Sequence, residues 1–378
     1  MACPRLLGNS CGISNGKYLF AIVRAEPRHC SYTKRCPTFM KTNQQKKQAA
    51  AFQECKLKAV DEIKSCYHPN CNENSINSHI LQKNGILSSL ESERHLMEME
   101  INPFLDEIHI FKRIGINKAY SFKCFCNTHD TALFKKIETE EIDFSNYQHL
   151  ILFTLRTIYN EKFRKQVNVR MRELIIDKYA NLFDVAFLNN QNEGEKLGLL
   201  DIEKTEKLIW KDISEKTESF VFETRVINRI ELCLTGFYNY ETTRELEDYR
   251  LKYGKDKEDV IDVFINVFPH KDKTTVIMGY KKTHEKDIKG YVNSLIKQSE
   301  KKFLRQLTNL LMFRCETWII SEDFYKNRIK KCESFFGLAA HYSNQNYNER
   351  KFFLINVFEE NFCKQMKQWE KNVGQHRI

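Results

Sequence analysis

The sequence predicts an α+β protein: a small ββα finger near the N-terminal end, a helical middle segment, and a C-terminal antiparallel sheet with long helices. Three observations predict it. Two short Cys/His clusters, Cys66-x4-Cys71 and Cys126-x2-His129, bracket strand-like runs; apolar residues recur at helical spacing from Tyr147 to Leu182; and Ile261, Val263, Ile265 and Val267 alternate as one face of a strand. At 378 residues the chain is long for one core, so several domains are expected. The divisions read from it are a basic, Cys-containing leader (1–64), the finger (65–140), a helical segment (141–195) and an α+β domain of unassigned role (196–378).

The elements follow in order. Tyr18 to Val23 reads as a strand, and Asn43 to Lys64, with Ala50, Phe52, Leu57 and Val60 near helical spacing, as an amphipathic helix feeding the first cluster. Ile76 to Leu81, Ile108 to Ile114 and Ala119 to Phe125 read as strands, and a helix carries Asp130, Leu133, Phe134 and Ile137. Two helices, Tyr147 to Tyr159 and Phe163 to Leu182, come next, and the polar, Gly-containing stretch Asn189 to Gly198 reads as a linker. Strands follow at Phe220 to Glu223, Arg229 to Phe237, Val260 to Phe268 and Thr274 to Lys281; the last two form a hairpin through the turn-rich segment Pro269 to Lys273. Helices at Lys286 to Phe313, Glu322 to Phe336 and Glu349 to Trp369 complete the chain, with Trp318 and Phe324 as core residues.

Composition is globular, with 42% apolar and 29% charged residues. No apolar run approaches the roughly 18 residues that cross a bilayer, and Met1 to Ser10 lacks the apolar centre of a signal peptide. A cytoplasmic protein without membrane association is expected. Thirteen cysteines in a reducing compartment read as metal ligands or buried small hydrophobes, and seven of them precede residue 72. Residues 1–60 hold 11 basic and 2 acidic side chains, so nine of the ten net positive charges sit there. Such a segment serves as a phosphate-backbone contact or as a solvated tail. The same two readings stand for Arg164, Lys165, Arg170 and Arg172 on the helical segment.

Soft ligands in two short chelate loops fit a tetrahedral structural zinc site. The quartet is Cys66, Cys71, Cys126 and His129, with His68 and Cys124 as possible replacements. Cys30 and Cys36 could form half of a second site, but no partner pair accompanies them.

The order of these parts resembles the HNH, or His-Me finger, nuclease family of treble-clef zinc fingers, over about residues 66–135. In that family a strand carries the catalytic histidine; the matching stretch is Ser78-His79-Ile80-Leu81-Gln82-Lys83. The resemblance implies that His79 is the general base, that Asp130, just after the last zinc ligand, helps hold a catalytic magnesium or manganese ion, and that Asn117 is the motif's middle asparagine. Ser78 stands where the family commonly has an acidic residue. The implied function is metal-assisted phosphodiester hydrolysis on DNA or RNA, in a defence or mobile-element setting. The alternative is a non-catalytic zinc-finger protein whose C-terminal domain binds a protein partner.

Other motifs carry less. Gly12-x3-Gly16-Lys17 has the wrong glycine spacing and strand order for a phosphate loop. His270 and His284 flank one strand but lack further ligands nearby.

Overall fold

A 33-residue helix sets the layout. The computed structural model describes residues 43–99, 111–139, 141–239, 260–315, 318–333 and 355–375. The expected strand at 18–23, the Cys30/Cys36 pair, the basic leader before residue 43, and the parts of the expected elements at 108–110, 334–336 and 349–354 lie outside these residues.

The fold opens with α1 (Asn43–Glu62), whose buried Gln48, Ala51, Phe52, Cys55 and Ala59 recur at three- and four-residue spacing and form one stripe. That stripe packs on α3 (Tyr147–Tyr179), which starts where the Asn146 side chain accepts the Gln148 N–H. From Leu150 to Tyr159 every residue of α3 is buried, because α1 and α4 (Val185–Glu215) flank it and the large sheet lies beneath. The break expected between Tyr159 and Phe163 is absent: Asn160 is buried and Lys162 pairs with Glu206 of α4 at 2.5 Å, so the helix runs through.

The expected linker at Asn189–Gly198 is likewise helical and lies inside α4. Its polarity has a packing cause. Asn192 and Glu195 are buried against α3, where Glu195 pairs with Lys165 at 3.0 Å and Arg172 at 3.4 Å, and Arg172 reaches Asn192 at 3.3 Å. Gly198 leaves space for the Lys165 ammonium, which would lie 3.0 Å from a Cβ at that position. With Glu161 also 3.4 Å from Lys165, both Lys165 and Arg172 are neutralised inside the fold, while Arg170 pairs with Glu62 and Arg164 with Glu161.

Among the described residues, nine strands make two antiparallel sheets. β1 (Asn77–His79) pairs with β4 (Ser121–Lys123) in a small hairpin-like sheet. The larger sheet has the order β3-β2-β9-β6-β7-β8-β5. It comprises β2 (His95–Met99), β3 (Phe111–Gly115), β5 (Phe220–Asn228), β6 (Leu232–Asn239), β7 (Asp262–His270), β8 (Lys273–Lys281) and β9 (Trp318–Ile320). The expected hairpin is β7–β8, with Val263 opposite Tyr280 and His270 opposite Lys273.

Alternation explains the burial of both faces. Val263, Ile265 and Val267 point into one core with α5 (Glu285–Ile296), α6 (Glu300–Phe313) and α7 (Phe362–Gln375), while Phe264 and Phe268 point into the other with α3. The single helix expected over Lys286–Phe313 is two: the chain turns after Ile296, and α6 restarts behind Ser299. Short helical turns run from Glu322 to Cys332, and Trp318 is fully buried as expected.

β2 and β3 lie between β1 and β4 in sequence, yet they belong to the large sheet, where Met97 pairs with Ile320 of β9. A single sheet thus joins residues on both sides of the boundaries read at 140 and 195. No helix among the described residues is long and apolar enough to cross a membrane.

Candidate metal centre

The four expected ligands converge. Cys66 and Cys71 lie in the loop before β1, and Cys126 and His129 lie at the start of α2 (Asn127–Phe134); their ligand atoms all fall within 4.8 Å of one another. His129 Nδ1 is 3.2 Å from Cys126 Sγ and 3.6 Å from Cys66 Sγ. A tetrahedral zinc with Zn–S of about 2.3 Å and Zn–N of about 2.0 Å has S···N edges of about 3.5 Å, so the spacing matches that geometry. Among the described residues this is the one group of three or more Cys, His, Asp or Glu side chains that could hold a metal ion.

Local hydrogen bonds shape the loops around the sulfurs. The Cys126 N–H donates to Cys66 Sγ at 3.2 Å, the Cys66 N–H donates to the Glu73 carbonyl at 3.0 Å, and the Cys71 N–H donates to the His68 carbonyl at 3.2 Å. Backbone N–H groups at the start of α2, His129 foremost, hold the Cys126 thiol below its ordinary range. Burial pushes the Cys66 thiol up to about 11, and burial followed by the nearby His68 lowers His129, favouring the neutral ring that a metal takes.

The two possible replacement ligands are used elsewhere. Cys124 is buried outside the quartet, with its thiol held well above the ordinary range by burial. His68 stacks on the His129 ring at 3.7 Å and meets Trp210 of α4 edge-on at 5.0 Å.

The centre is anchored on the helices by a network that the sequence did not reveal. Tyr67 stacks on Tyr159 at 4.9 Å, and the Tyr159 hydroxyl reaches the Tyr67 carbonyl and Glu206 while accepting from Trp210 Nε1 at 2.7 Å. No local signal marks it in the sequence, where Tyr67 is the one Phe, Trp or Tyr between Phe52 and Phe104. Its pairing with Tyr159, across about a hundred residues, has no local spacing rule.

The three residues that the nuclease resemblance would make catalytic take separate partners. His79, at the end of β1, donates from Nε2 to the Ile116 carbonyl at 3.1 Å, which leaves Nδ1 as the lone-pair nitrogen. Burial lowers its pKa against the opposing influence of that carbonyl, with Lys83 and Arg156 lowering it further. Asn117 is exposed and accepts from Lys83 Nζ at 3.4 Å. Asp130 Oδ1 lies 3.9 Å from Arg156 of α3, whose guanidinium also donates to Glu138 at 2.5 Å and covers the Phe134 ring at 3.8 Å. No hydrogen bond or ion pair joins His79, Asn117 and Asp130 to one another, and Asp130 faces a cation of the protein itself. Ser78 points away from His79 into the interior, where its hydroxyl has no hydrogen-bond partner. His270 meets the Phe144 ring edge-on at 5.2 Å and forms no ligand group with His284.

Compared with models of known families, with curated proteins and with solved structures, the chain matches none.

Proposed function

We propose that residues 66–134 form a zinc-stapled finger of the treble-clef type, and that this finger is an HNH-like phosphodiester-cleaving centre in a protein that associates with nucleic acid. One observation carries the reading: two ligand pairs converge on either side of a β1–β4 pair whose first strand ends in His79, with the His79 ring oriented by the Ile116 carbonyl. The ligand order, the strand pair and the helix opening at the second ligand pair are the parts a ββα finger needs. A zinc ion at the quartet supplies structure, fixing the α2 start against the loop before β1.

In this reading, Nδ1 of His79 takes a proton from the water that attacks the phosphodiester, a role suited to an imidazole that burial keeps neutral. A divalent ion such as magnesium or manganese, when bound, supplies charge stabilisation at the phosphate. Asp130 would be its oxygen ligand.

A second reading is favoured by one contact. Asp130 Oδ1 lies 3.9 Å from Arg156 without a hydrogen bond, so the protein's own cation, shared with Glu138, answers part of its charge. A finger with that carboxylate occupied acts as a scaffold, and the α+β domain would then be the part that meets a protein partner.

Cleavage of supercoiled DNA and of structured RNA with magnesium or manganese separates the two, using wild type and His79→Ala matched for zinc content. The nuclease reading expects cleavage by wild type and a loss of about 100-fold or more in the variant. Absence of cleavage, or cleavage unaffected by the substitution, rejects it in favour of the scaffold.

A further inference from the structure

The outer side of β5 carries unused backbone groups in a self-complementary arrangement. Among the described residues β5 is an edge of the large sheet, and its nine residues pair only with β8, in an unbroken register from Phe220 opposite Lys281 to Asn228 opposite Lys273. In an antiparallel strand, successive residues direct their N–H and C=O groups to opposite sides. The Ser219 carbonyl accepts the Lys282 N–H, so odd-numbered residues serve β8 and even-numbered residues face outward.

Both ends of that outer edge are capped. The Phe220 N–H donates to the Tyr147 hydroxyl at 3.2 Å, and the Asn228 N–H donates to the Glu300 carboxylate at 3.3 Å. Between the caps, the outward N–H and C=O groups of Phe222, Thr224 and Val226 make no hydrogen bond among the described residues. Exposed edges are commonly blunted by lysine, proline or a bulge. β5 has no lysine, proline or bulge, its two charged side chains, Glu223 and Arg225, are of opposite sign, and Val226 is 62% exposed.

We infer that this edge pairs with β5 of a second copy of the chain, antiparallel, about a two-fold axis at Thr224. That register satisfies at once all the free groups that lie between the two capped ends. Thr224 exchanges two hydrogen bonds with Thr224 of the second copy, and Phe222 exchanges two with Val226 of the second copy at each of the two symmetric positions. The side chains agree with it: exposed Val226 meets the ring of Phe222, a favourable aromatic and β-branched pair, and Glu223 lies directly opposite Arg225. The Glu223 side chain makes no ion pair or hydrogen bond within the described chain, whereas Arg225 is held on the same strand face by the Ile296 carbonyl at 2.9 Å and by stacking on Phe303.

The alternatives are disfavoured by charge. A slip that moves the axis to residue 223 sets Glu223 against Glu223, and one that moves it to residue 225 sets Arg225 against Arg225. The edge therefore specifies one register and favours an identical strand, and the interface is isologous.

Site-directed cross-linking of the full chain tests this directly. Opposed Cα atoms in a hydrogen-bonded antiparallel pair lie about 5.5 Å apart, within the range a disulfide spans. Thr224→Cys incubated with glutathione disulfide is expected to give a covalent dimer above the wild-type background: two thiols lose two protons and two electrons to form one S–S bond, and glutathione disulfide is reduced to two glutathione thiols. Val226→Cys is the control, since its two copies stand four strand positions apart, about 13 Å, and should not cross-link. In sedimentation experiments over a concentration series, wild type should approach twice the monomer mass, and the exposed substitution Val226→Lys should weaken association at least about tenfold. Glu223→Lys should do the same by opposing like charges. A wild type that stays monomeric at every concentration, equal cross-linking of the two cysteine variants, or association unchanged by both lysine substitutions overturns the inference.

Discussion

The Cys/His corner and the α3–α4 seam both hold distant segments together through polar atoms removed from water, but they do so by opposite means. At the corner, ligands 60 residues apart, such as Cys66 and Cys126, gather into a group sized for one ion. At the seam, Glu195 answers both Lys165 and Arg172, and Glu161 answers Lys165 as well, with no ion required. The difference is one of dependence. The corner's spacing suits deprotonated soft ligands gathered around a metal, whereas the seam sets two cations against two carboxylates, so any one removed leaves a charge without its partner.

The largest effect should come at the corner. Cys126→Ser is expected to reduce bound zinc from about one per chain to near zero by elemental analysis, and to open the 66–134 segment to limited proteolysis. If that segment stays protected without metal, the corner is a packed core like the seam and the contrast fails.

Next in size is Glu195→Ala, which leaves Lys165 and Arg172 buried without their shared carboxylate. A loss of about 3–5 kcal/mol in urea denaturation is expected, with zinc content unchanged. Acid probes the same seam more gently. Burial raises the Glu195 pKa, but Lys165 and then Arg172 more than offset it, so the folded value lies below the ordinary one. The seam's contribution is therefore complete above the unfolded glutamate pKa and is lost as pH falls through the depressed folded value. Wild type should lose stability over that acid range, and Glu195→Gln should show a flatter profile there in pH-dependent denaturation.

Smallest is Tyr159→Phe, which removes the hydroxyl that links Trp210, Glu206 and the Tyr67 carbonyl beneath the corner. About 1 kcal/mol of stability is expected to go, with a modest weakening of zinc retention in chelator competition. No change in either would mean that the corner stands without its helical support.

These two regions also differ in how far the sequence revealed them. Cys66-x4-Cys71 and Cys126-x2-His129 are short-range spacings, and chelation acts over short range, so the ligand list could be read directly. The β7–β8 hairpin was legible for a related reason: strand alternation and a turn signal are both local. Glu195 and Gly198, by contrast, look like linker residues until Lys165 is known to lie against them. The placement of β2 and β3 in the large sheet depends on β9, more than two hundred residues away, and no local pattern encodes that partnership. At the candidate reaction face, the position of His79 on a strand is readable, but Arg156, which lies near Asp130, comes from the stretch Tyr147 to Tyr159, whose pattern shows only its apolar positions.

The excursion of the chain between β1 and β4 carries a consequence for biosynthesis. β2 and β3 leave the ribosome about 220 residues ahead of β9, the strand that connects them to β6. At roughly 5–20 residues per second, that is an interval of about 10–45 seconds in which the nascent chain has its ligand quartet complete while a short ribbon of two strands waits with one side uncovered. Chaperone capture during translation should therefore concentrate on this interval, and should fall once Trp318 to Ile320 have emerged and closed the gap.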